Sequence, residues 1–337
     1  MTQTRMFSFL FCLMIYRPVG ICGILETLNT DAVQHYRLGR YQQAEQLWLG
    51  AMNLADGLER ATIASNLGGL YRRIGRFSQA EHHFRLCYLL RRNALGDGHT
   101  NTAIALNNVA AMETVLGEFD DAERDLRQAL SAAHLQPADR GSLETNLGNL
   151  LRLDGRLAEA NSRLQAASML VDNNHSLNLA RGQLAEDLRN FEQAKQCFEA
   201  ALTVEASPAA AVHVARVRLR DGDFNNARFL LEEARRKRPS TETQIAILQT
   251  LSNLELAQSR TSLSAIALRQ ALEIEERALG PYHASVASLL EQYAVVLRKL
   301  GEGKKARRIE ARAKWITERV PPRPGASLST LSEYRHP

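Results

Sequence analysis

Three small-residue positions recur eight times along this chain, and they limit its fold more than any other feature. With Gly117 as a reference turn position, small residues stand seven before it (Ala110), five after it (Ala122) and twelve after it (Ala129). Positions 39, 75, 117, 155, 189, 222, 259 and 301 all reproduce the frame. The seven-before slot reads Ala32, Gly68, Ala110, Gly148, Gly182, Ala215, Ser252 and Ala294. The five-after slot reads Ala44, Ala80, Ala122, Ala160, Ala194, Ala227, Ser264 and Ala306. The twelve-after slot reads Ala51, Cys87, Ala129, Ala167, Ala201, Ala234, Ala271 and Ala313. Small residues at this spacing let two helices approach closely, where larger ones would overpack the contact. A single such hairpin cannot bury its own apolar faces, so each unit needs similar neighbours.

The stretch Ala105–Leu130 shows the unit most clearly. Val109, Ala110, Val115 and Leu116 line the first helix, Gly117 stops it, and Phe119 opens a second helix carrying Ala122, Leu126 and Ala129 on one face. An aromatic residue or leucine follows the turn by two in six units: Tyr41, Phe77, Phe119, Leu157, Phe191 and Phe224. The last two units have Thr261 and Gly303 there, and Arg189 and Ser259 replace the turn glycine in units five and seven.

Turn spacings of 36, 42, 38, 34, 33, 37 and 42 residues, with these small and aromatic slots, resemble the tetratricopeptide repeat (TPR). The resemblance implies an all-α fold, a right-handed α-α superhelix (TPR solenoid) of about eight helical hairpins. They are expected at about 27–56, 59–93, 101–132, 139–171, 174–204, 207–238, 243–277 and 285–319. Two LGxxH segments, Leu95–His99 and Leu279–His283, occupy the long spacings. With Leu106-Asn107-Asn108 they resemble the kinesin-light-chain type of TPR.

Composition agrees with stacked helices. Apolar residues make up 45% of the chain and aromatics only 6%, and no run of alternating β-branched residues argues for a sheet. The net charge of +5 is local: the segment from Arg298 to Arg319 holds nine lysines and arginines against three glutamates. A second cluster, Arg235-Arg236-Lys237-Arg238, ends a helix, where cations favour the helix C-terminus. Both clusters are expected to be solvated helix faces rather than a nucleic-acid site. The four cysteines form no CxxC pair and do not indicate a redox compartment.

Residues 1–23 stand apart. Met6 to Tyr16 form an apolar run after Arg5, as in a secretory signal peptide, although Arg17-Pro18 interrupts it and no clean cleavage site follows. A functional leader implies an exported, periplasmic or membrane-associated protein, with membrane contact only through that leader; otherwise the chain is cytoplasmic. The first helix is expected from Glu26 to Leu38. Residues 320–337 have too little apolar content to pack as a unit and are expected to be disordered.

In TPR proteins with an asparagine ladder, an asparagine nine before the turn faces the concave groove. Its amide donates and accepts, so it can hold a peptide backbone. Here that position holds Asn66, Asn108 and Asn146, and later His213 and Gln292. Arginines shortly before the turn, Arg73, Arg152 and Arg220 among them, are candidates for pairing with carboxylates along the same surface. No HExxH, zinc-spaced Cys/His set, GxSxG, P-loop or GxGxxG occurs. His99 and His283 belong to the LGxxH turns and are expected to be structural. The expectation is a non-enzymatic scaffold, without catalytic residues, cofactor or metal, that binds a protein or peptide in the groove. The alternatives are a helical-repeat nucleic-acid binder or an accessory subunit of an enzyme or signalling complex.

Overall fold

The computed structural model describes residues 19–319, and these form sixteen helices that pair in chain order into eight hairpins. The first four are α1 (Val19–Arg37) with α2 (Tyr41–Leu54), α3 (Gly57–Arg73) with α4 (Phe77–Leu95), α5 (Thr100–Leu116) with α6 (Phe119–Leu130), and α7 (Pro137–Leu153) with α8 (Leu157–Ser168). The last four are α9 (His175–Asp187) with α10 (Phe191–Val204), α11 (Pro208–Arg220) with α12 (Phe224–Arg236), α13 (Thr241–Ala257) with α14 (Thr261–Leu279), and α15 (Ala284–Lys299) with α16 (Gly303–Arg319). No strand occurs among the described residues, and no described helix is long and apolar enough to cross a membrane.

All eight turn positions have left-handed backbone, including Arg189 (φ 59°) and Ser259 (φ 61°) beside the six glycines. In every unit the N–H after the turn position donates to the carbonyl five residues earlier. The pairs run from Arg40 to His35 and Arg76 to Tyr71 through to Arg260 to Glu255 and Glu302 to Leu297, at 2.7–2.9 Å. That bond satisfies a carbonyl the helix end would leave open, and it requires the left-handed residue before it. Units five and seven thus keep the turn without the residue that makes it easy.

All twenty-four small-residue slots are buried. Tight approach explains why. A Cβ added at Gly68 would lie 2.7 Å from the Phe84 ring, and one at Gly182 would clash with Phe198. In unit seven the facing slots are both serine, and their hydroxyls bond to each other, Ser252 Oγ to Ser264 Oγ at 2.6 Å. Two polar replacements therefore satisfy each other inside the contact.

Both LGxxH segments act as the sequence suggests. Gly96 and Gly280 take nearly the same backbone angles (φ 86° and 87°) after two nineteen-residue helices, α4 and α14. His99 and His283 then cap the next helix, their Nδ1 atoms accepting from the N–H of Asn101 (3.0 Å) and Ser285 (3.3 Å).

Two boundaries differ from expectation. The first helix begins at Val19, not near Glu26, and the added residues include Leu25, which is buried in the core. The fourth hairpin begins at Pro137 rather than near 139, with Pro137 the first residue of α7, where its missing N–H costs nothing. The expected leader falls outside the described residues up to residue 18, as does the whole of the expected tail at 320–337.

The stack curls until it touches itself. The tip of hairpin one meets the end of hairpin six, where Arg238 Nη1 donates to the Leu38 carbonyl at 2.8 Å. The tip of hairpin two meets the start of hairpin seven. There Arg73 donates to the Arg238 carbonyl, Thr241 Oγ1 lies 3.5 Å from the Arg73 carbonyl, and Arg72 faces Glu242 at 3.9 Å. Gly75 presses on Thr241 so closely that an added Cβ would sit 2.7 Å from its side chain. The tip of hairpin three meets the start of hairpin eight, where His283 Nε2 lies 3.3 Å from the Leu116 carbonyl. The Nδ1 of that ring accepts a backbone N–H, so Nε2 carries the proton and donates. Burial lowers the His283 pKa, which favours this neutral form. Each tip thus rests about five units further along the chain.

Candidate functional site

The first helices of units two to four carry the expected asparagines, and the structure engages them unequally. Asn66 Nδ2 donates to Asn29 Oδ1 of the preceding unit at 3.0 Å, and Trp48 Nε1 donates to the same oxygen at 2.9 Å. Asn146 Nδ2 donates to Asn107 Oδ1 at 2.8 Å. Asn108, half-buried on α5, makes no side-chain hydrogen bond among the described residues. The ladder therefore has rungs between neighbouring units, from the asparagine nine before one turn to the residue ten before the previous turn. The sequence reading missed Asn29 and Asn107 as the acceptors. Each rung uses one N–H of an amide that has two and leaves its carbonyl oxygen open.

The remaining expected groove residues disperse. Arg73 is drawn to the closure, where it also donates to the Tyr41 hydroxyl at 3.3 Å. Arg152 is committed between units, pairing with Asp187 at 2.8 Å and bonding Asn149, with both ion-pair partners largely buried. Arg220 is exposed and stacks over the Phe191 ring at 4.3 Å. His213 is buried, stacked 4.4 Å from Phe198 and within 3.2 Å of Gln183 Nε2, and burial drives its pKa well below the usual histidine range. It is a neutral core ring, not a surface contact, because its position faces the adjacent helix once Gly182 brings Phe198 close. Gln292 is likewise buried on α15.

Buried charge lies in the second layer. Glu113, four before the third turn, accepts from Arg85 at 2.6 Å with Asp125 close by. Burial, reinforced by Asp125, raises its pKa to about 7 against the pull of Arg85. Glu255, four before the seventh turn, is held in the same way by Arg228 at 2.6 Å and Arg260 at 3.5 Å. These groups join adjacent helices. Among the described residues, no group of three or more His, Cys, Asp or Glu side chains is placed to hold a metal ion.

The last unit carries the basic surface. On α16, Arg312 pairs with Glu276 at 2.6 Å, and Glu310 binds Arg298 of α15 at 2.6 Å, while Lys304, Arg307 and Arg308 point outward with no ion-pair partner among the described residues. The other basic run is largely used up: Lys237 donates to the Ala206 carbonyl, Arg236 pairs with Glu233, and Arg238 holds the closure.

Comparison with known sequences identifies the family of part of the stack. Tetratricopeptide repeat models match residues 24–88 and 59–133, and a further one matches 175–208. The chain carries tetratricopeptide repeats. A comparison with curated proteins finds no match. Among solved structures, a chain of the APC/C hetero-tetramer Cut9–Hcn1 superposes with a TM-score of 0.62 at 14% identity, over 86% of this chain and 53% of that one. A tetratricopeptide repeat protein from Parabacteroides merdae ATCC 43184 is 18% identical over 76% of this chain and 98% of its own, with a TM-score of 0.49. At 14% identity the likeness to the Cut9–Hcn1 chain is one of fold. The TPR frame nevertheless continues through units six to eight, beyond the matched segments, with the same turn bonds and buried slots.

Proposed function

We propose that the protein is a non-enzymatic interaction scaffold, of the kinesin-light-chain type of TPR, that holds a peptide or a partner's segment along the inner face of its first helices. TPR units generally serve protein–protein interaction. The observation that carries the reading here is the row of half-exposed amides on α3, α5 and α7. Asn66 and Asn146 are fixed in orientation by Asn29 and Asn107 and keep spare hydrogen-bonding capacity, and Asn108 lies between them with no hydrogen-bond partner for its amide among the described residues. Amides held this way can bond a peptide backbone without side-chain readout, and their ordering cost is met before the ligand arrives. The twin His-capped turns at Gly96–His99 and Gly280–His283 support the subtype.

The test uses the full chain with Asn66, Asn108 and Asn146 all changed to Ala. The expected result is a melting temperature within a few degrees of wild type together with loss of partners that wild type captures by cross-linking. Equal capture by the triple variant, or its unfolding, would remove the groove from the account.

A further inference from the structure

Where the curled stack meets itself, a cleft of about 970 Å³ opens between the tips of hairpins one and two and the ends of hairpins six and seven. It is lined by five arginines, Arg73, Arg76, Arg235, Arg238 and Arg277, and by one acid, Glu273. Among the described residues only Arg76 of these has a carboxylate partner, Glu45 at 3.0 Å. Arg73 and Arg238 bond backbone carbonyls and the Tyr41 hydroxyl, which satisfies N–H groups but leaves the charge uncompensated. Arg235 and Arg277 are exposed and have no partner among the described residues. Glu273 lies 3.9 Å from Arg269, outside the cleft. Four guanidinium groups converging on one concavity focus a positive potential there.

The charge has an apolar backing. Ile74, Ile247, Leu248 and Ile274 line the same space. The volume lies at the upper end for small-ligand sites and suits a short extended segment rather than a folded domain.

We propose that this cleft binds an acidic segment of a partner protein, carboxylates pairing with Arg73, Arg235, Arg238 and Arg277 and apolar side chains lying on the half-buried Ile74 and Ile274. Arginine favours carboxylates because its planar fork can meet both oxygens. The apolar backing favours a peptide over a nucleic acid, whose backbone would leave those isoleucines unused. This site is separate from the asparagine face and needs no part of it. Its walls come from units far apart in sequence, so an occupant also ties the closure together.

The probe is a fluorescein-labelled octapeptide of alternating glutamate and leucine, read by anisotropy against the full chain. The controls are the same peptide with lysine for glutamate and a labelled oligo-dT. Binding of the acidic peptide alone is expected, weakening as salt rises. R235Q/R277Q, which touches no closing contact, should weaken it at least about tenfold, with an unchanged melting temperature. R307Q/R308Q on α16 and the triple asparagine variant should leave it unchanged. No binding to wild type, equal binding to R235Q/R277Q, equal loss in R307Q/R308Q, or oligo-dT binding as tight as the peptide would each overturn the proposal.

Discussion

The two halves of the stack are built on one frame but packed differently. From Leu25 to Leu184 the buried side chains form one continuous core through units one to five. Beyond it the core breaks into three smaller clusters, around Phe198, around Leu231 and around Leu290. Two of the breaks fall near departures from the frame, Arg189 at the fifth turn and Ser259 with the Ser252–Ser264 pair in unit seven, while the break between the Phe198 and Leu231 clusters runs through α11, whose unit keeps its turn glycine. The small slots persist throughout, and the large residues around them are what change. Slot and turn are therefore the minimum a unit needs to dock, whereas a shared core is what makes neighbouring units melt together.

The sharpest way to break that comparison is Phe198→Ala. This ring is wholly buried and holds the smallest cluster, so its loss should cost about 3–5 kcal/mol. Hydrogen exchange should show protection falling first in α9 to α12 and lasting in α3 to α6. A uniform loss along the chain would show that the halves unfold as one.

Next come Ala122→Leu and Ala227→Leu, the same slot in either half. Each should cost about 1–3 kcal/mol in urea unfolding. Similar costs would show the slot is equally tight on both sides of the break, and an unchanged midpoint in either variant would sink the register.

A smaller effect is confined to the regular half. Glu113 has its pKa raised to about 7 in the folded protein, against a usual value of 4.5. The folded state holds that proton more tightly, so the contribution is fully present below pH 4.5 and lost as pH rises to about 7. Comparing wild type with Glu113→Gln across that window should show a relative decline in wild-type stability on the order of 1–2 kcal/mol. A flat difference would mean Arg85 fully holds the charged form.

The smallest change should favour the irregular half. Arg189→Gly and Ser259→Gly remove left-handed strain from residues with a Cβ and should stabilise by about 0.5–1 kcal/mol each. Gly117→Ala should destabilise by a similar amount. Thermal melts of the three variants check the sign.

Much of this was legible in the sequence because it is local and periodic. A turn residue and slots at fixed offsets state their geometry within about twenty positions, so even Arg189 and Ser259 could be placed in the frame. The matching LGxxH segments marked His99 and His283 as structural, although the capping bonds they make showed only in the structure. The closure was not legible. It rests on pairs such as Leu38 with Arg238 and Leu116 with His283, separated by 200 and 167 residues, with no recurring pattern to mark them. The arginine cleft inherits that invisibility, since its walls come from opposite ends of the stack. The existing partners of two inner-face arginines were hidden for a related reason. Spacing placed Arg73 and Arg152 near the turn ends but could not show that Arg238 and Asp187 already engage them.

The closure also gives the array a count. In an open solenoid a unit can be gained or lost between its neighbours with little consequence elsewhere. Here each of three tips has an assigned seat five units ahead, so one unit inserted or removed between hairpins three and six would shift all three tips off their seats together. His283 would no longer reach Leu116, and Gly75 would face something other than Thr241. A fold made of interchangeable parts is thereby held to a fixed number of them over that stretch.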